Sequence, residues 1–221
     1  MINPRVLTTI DLITKNVNSK VTRIIDLGCG DGSTVREVAN ALGAVEVYGV
    51  DVNEEVLKKA EDRGVKVIKT DLNYDILPFE NEFFDIILME EVIEHLINPD
   101  NAFKEAYRIL KNGGLFIVST PNLAWWVNRL ILLLGYQPYW SECSTVYNVG
   151  KFKRDLRRPI SGHLRLYTYR ALKQLLELYD FKVVASKGVT YSNLPFLFSY
   201  IDQIISMIPS MAQIIIIIAQ K

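Results

Sequence analysis

The sequence predicts an α/β fold on a mostly parallel sheet, and three observations carry that expectation. Apolar, β-branched runs alternate with helix-patterned stretches through the first half, a glycine-rich turn joins the first run to its helix, and two further strand candidates close the chain. Strands are expected over residues 22–27, 45–50, 65–69, 83–89 and 115–119, each a short apolar run bounded by turn residues. Helices are expected over 34–41, 54–63 and 99–110. Their ends have local causes. Thr34 with Glu37 reads as a capping box, Asn53 precedes two glutamates, Asn98 precedes Pro99 at the first helical position, and Gly64 can close its helix. A short amphipathic helix is expected over 1–16, in place of the basic and apolar series of a signal peptide.

The alternation breaks after the fifth strand. Segment 122–162 leads to a helix at 169–179, and strands at 181–189 and 212–219 follow with no crossover helix of ordinary pattern between them, so they are expected to pair antiparallel. Segments 122–162 and 190–211 should both open at the carboxyl edge of the sheet, where open α/β sheets bind ligands. Trp125, Trp126 and Trp140 lie in the first with Tyr136 and Tyr139; Phe196, Phe198 and Tyr200 lie in the second. These rings either form the core of a small helical subdomain or touch an apolar ligand.

At 221 residues the chain suits one domain, residues 1–221, with these two segments as insertions. Basic and acidic residues balance at 25 each, which argues against wholesale nucleic-acid binding. The run KFKRDLRR at 151–158 is a local exception, either a solvated loop or a contact for a phosphate or an anionic membrane surface. Cys29 and Cys143 form no metal-ligand pair, and a reducing cytoplasm fits them. Residues 203–220 carry no charge and include five consecutive isoleucines; Pro209 and the polar residues favour a short apolar segment followed by a buried strand over a membrane span.

The run IIDLGCGDGS, Ile24 to Ser33, concentrates the chemistry. Gly28, Gly30 and Gly32 let the main chain bend sharply, approach a ligand closely and aim N–H groups of the next helix at it. Asp26 and Asp31 flank this turn, and Asp51 ends the next strand at the spacing of a ribose-binding carboxylate. Asp31 would repel a diphosphate. A nucleoside carrying a sulfonium and an ammonium, as S-adenosylmethionine does, suits this charge pattern better than NAD.

Four motifs in order resemble the class I S-adenosylmethionine-dependent methyltransferases over nearly the whole chain: the glycine loop with Asp26, VYGVDVN with Asp51, TDLN with Asp71 and Leu72, and FDIILMEEVIEHL running into LKNGGLFIVSTPN. EVIEHL and GHLRLYT are similar to the subgroup that includes ubiquinone-pathway O-methyltransferases. The resemblance implies a Rossmann-like seven-stranded sheet with a C-terminal antiparallel hairpin and helices on both faces. It also implies that Asp26, Gly28, Cys29 and Gly30 meet the methionine part of the cofactor, Asp51 the ribose, and Val52 the adenine. Asp71 would bind the adenine amino group, Leu72 would offer a backbone N–H, and Glu90 or Glu91 would lie beneath the sulfonium. The expected reaction is methyl transfer to an oxygen or nitrogen of a small, apolar or lipid-linked acceptor, with a non-catalytic cofactor-binding protein and an NAD-linked oxidoreductase as the other readings.

His95 and His163 are the only histidines and the candidate general bases. Glu91, Glu94 and His95 stand at i, i+3 and i+4, so a helical turn would set them on one face able to bind a divalent metal with His163. In the metal-free reading, which is the one expected, Glu91 shapes the pocket, Glu94 is solvated and His95 is structural or a base.

Overall fold

The computed structural model describes residues 3–17, 19–152, 159–191 and 194–221; positions 153–158 of the basic run lie outside the described residues. Seven strands form one sheet in the order β3-β2-β1-β4-β5-β7-β6. The strands are β1 (Arg23–Leu27), β2 (Glu46–Asp51), β3 (Lys66–Lys69), β4 (Phe84–Glu90), β5 (Leu110–Pro121), β6 (Lys182–Val189) and β7 (Ile214–Gln220). The first five pair in parallel, and β7 lies antiparallel between β5 and β6. The expected parallel sheet and its antiparallel hairpin are both present.

Alternation along the strands sends side chains to two cores. Ile25, Leu27, Ile87 and Met89 pack on one face with Phe103, Leu172 and Leu176 of α4 (Pro99–Ile109) and α6 (Tyr169–Leu178). Ile24, Ile86 and Leu88 pack on the other with α1 (Pro4–Asn16), α2 (Ser33–Leu42) and α3 (Glu54–Asp62). The isoleucine run is β7 itself, its side chains buried on both faces. Each such isoleucine contributes on the order of 2 kcal/mol by leaving water, which fixes the run in the protein core. Among the described residues no helix is long and apolar enough to cross a membrane.

Local signals fared unevenly. Asn53 caps α3 by accepting the Glu55 N–H at 2.9 Å. The Thr34–Glu37 capping box does not form: Gly32, at φ 74°, is the N-cap, so Thr34 is already inside α2, and Asp31 accepts the Ser33 N–H and hydroxyl instead. Asn98 is the N-cap of α4 with Pro99 at its first position, as expected, but its side chain makes no cap bond and donates instead to the Asn73 carbonyl.

Both insertions open at the carboxyl edge, following β5 and β6, and each holds a helix: α5 (Trp126–Leu133) and α7 (Phe196–Ile205). The second corrects the expectation of a connection without one. FLFSYIDQII is apolar nearly all round, so it lacks the periodic signal by which helices are read. The insertions are joined through Asp202, which is fully buried and accepts the indole N–H groups of Trp125 (2.8 Å) and Trp126 (2.7 Å) and the Thr190 hydroxyl.

Candidate functional site

Where β1 ends, Gly28 takes φ 85°, and a Cβ there would stand 2.5 Å from a Val92 methyl. Only glycine fits this turn. The Gly28 and Cys29 N–H groups both donate to the Val50 carbonyl at the end of β2 (2.8 and 2.9 Å). Asp51 then fastens the loop to its own strand end, accepting the Gly30 N–H and the Asn53 N–H, each at 3.0 Å.

These contacts leave a cleft of about 300 Å³ at the carboxyl edge, lined by Gly28, Asp51, Val52, Thr70, Asp71, Leu72, Asn73, Glu91, Val92, His95 and Leu96. Among the described residues, its lining holds three carboxylates and no lysine or arginine. Such a wall favours a cationic ligand and disfavours a pyrophosphate. Asp71 is held by Asn73, whose backbone and side-chain N–H groups donate to it at 2.9 and 2.7 Å. Asn73 in turn accepts the Ile97 and Asn98 N–H groups, tying the loop after β3 to the one after β4.

Not every expected residue faces this cleft. Cys29 contributes its backbone to the turn, while its sulfur packs against Gly49, where an added Cβ would come within 2.6 Å of it; burial raises the thiol's pKa and keeps it inert. Gly30 stands on the loop bound to Asp51. Asp26 is buried behind the cleft, its carboxyl pushed up to about 8 by burial first, then by Glu90. Glu90, expected beneath the ligand, is absent from the cleft wall and turned to α1, where Arg5 and Thr9 each reach it at 2.5 Å. Its neighbour Glu91 takes the cleft position with φ 60° and accepts the Ser119 hydroxyl at 2.9 Å, burial pushing its carboxyl up to about 7.

The expected helical face of Glu91, Glu94 and His95 is not formed, because Glu91 is left-handed and only Ile93–His95 make a single 3-10 turn. Nor is Glu94 solvated. It is 1% exposed, accepts the Thr120 hydroxyl at 3.0 Å, and has its carboxyl pushed up to about 8 by burial and by Glu91. Yet Glu94, His95 and His163 offer ligand atoms within 4.8 Å of one another, a group that leaves out Glu91. The His95 and His163 rings meet edge to face at 4.8 Å, and burial, then His95, lowers the His163 pKa. His163 stands behind His95, off the cleft wall. Among the described residues, Glu94 Oε1 and His163 Nδ1 are buried without a hydrogen-bond partner, so together with His95 the group can hold a cation.

Thr70, Asn73, Val92 and Leu96 also line the cleft, unmarked by sequence reasoning. Each nonetheless lies within a quoted motif, Thr70 and Asn73 in TDLN and Val92 and Leu96 in EVIEHL.

Residues 5–186 match the family model described as a methyltransferase domain. An uncharacterised protein of Methanocaldococcus jannaschii is 27% identical over 78% of this chain and 66% of its own. The ubiquinone biosynthesis O-methyltransferase of Roseobacter denitrificans is 36% identical over 47% of this chain and 42% of its own. The matches thus span less than two thirds of these relatives' lengths. A solved SAM-dependent methyltransferase from Thermotoga maritima superposes with a TM-score of 0.64 at 22% identity, covering 98% of this chain and 89% of that one.

Proposed function

The chain belongs to the methyltransferase-domain family, and from that premise we propose that it binds S-adenosylmethionine in the carboxyl-edge cleft and methylates an oxygen or nitrogen of a small acceptor in the cytoplasm. The observation that carries this reading is the cleft wall itself: among the described residues it has three carboxylates, no lysine or arginine, and a glycine turn into which no Cβ fits. Bound there, the cofactor supplies a methyl group already activated on a sulfonium.

The protein's own share is positioning, exclusion of water and handling of a proton. Asp51 uses one lone pair of each oxygen on backbone N–H groups, which leaves acceptor capacity for ribose hydroxyls. Val52 and Leu72 offer apolar surface to an adenine, and Asp71 an acceptor for its amino group. Glu91 places negative charge where a sulfonium would lie. His95 faces the cleft and takes the proton of the acceptor; such a base is worth about 10² to 10⁴ in rate, whereas alignment contributes ~7 to 11 kcal/mol. The two insertions, open at the same edge, form the acceptor side, and their exposed Phe196, Tyr200 and Leu133 suit an apolar or lipid-linked acceptor.

Titration calorimetry with S-adenosylmethionine, its demethylated product and NAD tests this. The first two should bind and NAD should not, and Asp51→Asn, far-UV circular dichroism unchanged, should weaken binding at least tenfold. Preferential NAD binding, or an unaltered affinity in the variant, overturns the reading. Labelled cofactor incubated with cell extract then separates an enzyme from a non-catalytic binder. The unpartnered Glu94 and His163 atoms favour a second reading, in which Glu94, His95 and His163 hold a divalent cation beside the acceptor. Elemental analysis of untagged protein decides it, since a metal-free active enzyme ends it.

A further inference from the structure

We infer that Glu142, in the first insertion, is a positioning residue for His95, acting through the peptide that joins Gly162 to His163. The inference rests on His95 being the proton acceptor of the cleft.

Three consecutive N–H groups converge on the Glu142 carboxylate: Ser161 at 2.5 Å, Gly162 at 2.9 Å and His163 at 3.2 Å. Gly162, at φ 78°, makes the left-handed step that lets successive N–H groups face one anion. The Gly162 carbonyl belongs to the same planar trans peptide as the His163 N–H, so the two point in opposite directions. That carbonyl lies 3.2 Å from His95 Nδ1. The result is a continuous line of dipoles: carboxylate, peptide N–H, peptide C=O, imidazole Nδ1.

A negative charge at one end polarises the peptide and makes its carbonyl a stronger acceptor at the other. Nδ1 must then carry the hydrogen, which leaves the Nε2 lone pair of His95 as the free acceptor. Trp140, two residues before Glu142, takes φ 64°, a strained conformation for a large side chain. Glu142 therefore holds the peptide by its N–H side, opposite the carbonyl that meets His95. An insertion that covers the acceptor side thereby sets the tautomer of the base.

Ring nitrogen NMR of the full chain tests this directly, because the protein has only two imidazoles and His163→Gln assigns them. At a pH where both rings are neutral, wild-type His95 should show Nδ1–H. Glu142→Gln, which removes the charge at constant size, and Glu142→Ala should each move the tautomer ratio toward Nε2–H by about tenfold, the scale of a charge-assisted hydrogen bond. Thermal denaturation identifies a variant that fails to fold, and the other variant then carries the comparison. A wild-type His95 in the Nε2–H form, or an unchanged ratio in the folded variants, overturns the inference. Calorimetry with S-adenosylmethionine on the same samples reads the cofactor site separately, so failure of one assignment is not mistaken for failure of the other.

Discussion

Arg5 and Glu90 form an ion pair at 2.5 Å with side chains only 11% and 1% exposed, joining the first helix to the last residue of β4. Glu90 also accepts the Thr9 hydroxyl, so two residues one helical turn apart clamp one carboxylate. Breaking such a pair on one side strands a charge in the interior, whereas replacing both partners with apolar groups costs little. Arg5→Met should therefore lower stability by about 3 kcal/mol in urea denaturation. Arg5→Met combined with Glu90→Leu should recover most of that loss. Equal losses in the single and double variants would mean that helix packing, and not the charge, is what Arg5 supplies.

Asp26 gives the fold a pH dependence of predictable sign. Its carboxyl is raised from 3.8 to about 8, by burial and by the neighbouring Glu90 and Asp51 against the opposing Arg5. A carboxyl raised in the fold binds its proton more tightly there than in the unfolded chain. Its contribution is therefore complete below its unfolded value and is lost as pH rises through the folded one. Asp26→Asn should flatten the fall in stability between about pH 5 and about pH 8 by roughly 1 kcal/mol per unit. Affinity for a cationic ligand should run the other way, rising with pH in the wild type and losing that rise in the variant. Urea titrations and calorimetry across this range read both slopes, and a wild-type slope in Asp26→Asn refutes the assignment.

What could be read from the chain and what could not divide by range. The glycine turn, Asp51 and Asp71 were legible because each ends a strand whose apolar run is local, and strand ends in a parallel sheet meet at one edge. Glu90 and Glu91 were not separable in sequence. Adjacent carboxylates at a strand end point to opposite sides, and only the Arg5 contact, 85 positions away, decides which one faces the cleft. Glu94 was read as solvated because its partner Thr120 lies on β5, 26 positions away, and its burial is tertiary. Thr34 lost its capping role to the left-handed Gly32 two positions earlier, a backbone property that residue types alone do not rank. Glu142 gave no signal at all, since its partners are backbone N–H groups about twenty positions on.

Asp202 shows the same long-range logic in the insertions and yields the last prediction. The carboxylate is fully buried on α7, yet every donor it holds comes from elsewhere: two indole N–H groups from the first insertion and the Thr190 hydroxyl at the end of β6. A buried donor whose acceptor is removed costs about 1 to 3 kcal/mol, and several are orphaned here together. Asp202→Ala should thus destabilise by about 3 kcal/mol or more, and water entering to satisfy the indoles should shift tryptophan emission to longer wavelength. Asp202→Asn keeps an acceptor oxygen while losing the charge, so it should fall between. Because the cofactor cleft is built from other elements, affinity for S-adenosylmethionine should survive in Asp202→Asn while turnover on an acceptor falls. Proportionate loss of both would mean that the insertions and the cleft are one cooperative unit, and that the insertions do more than shape the acceptor side.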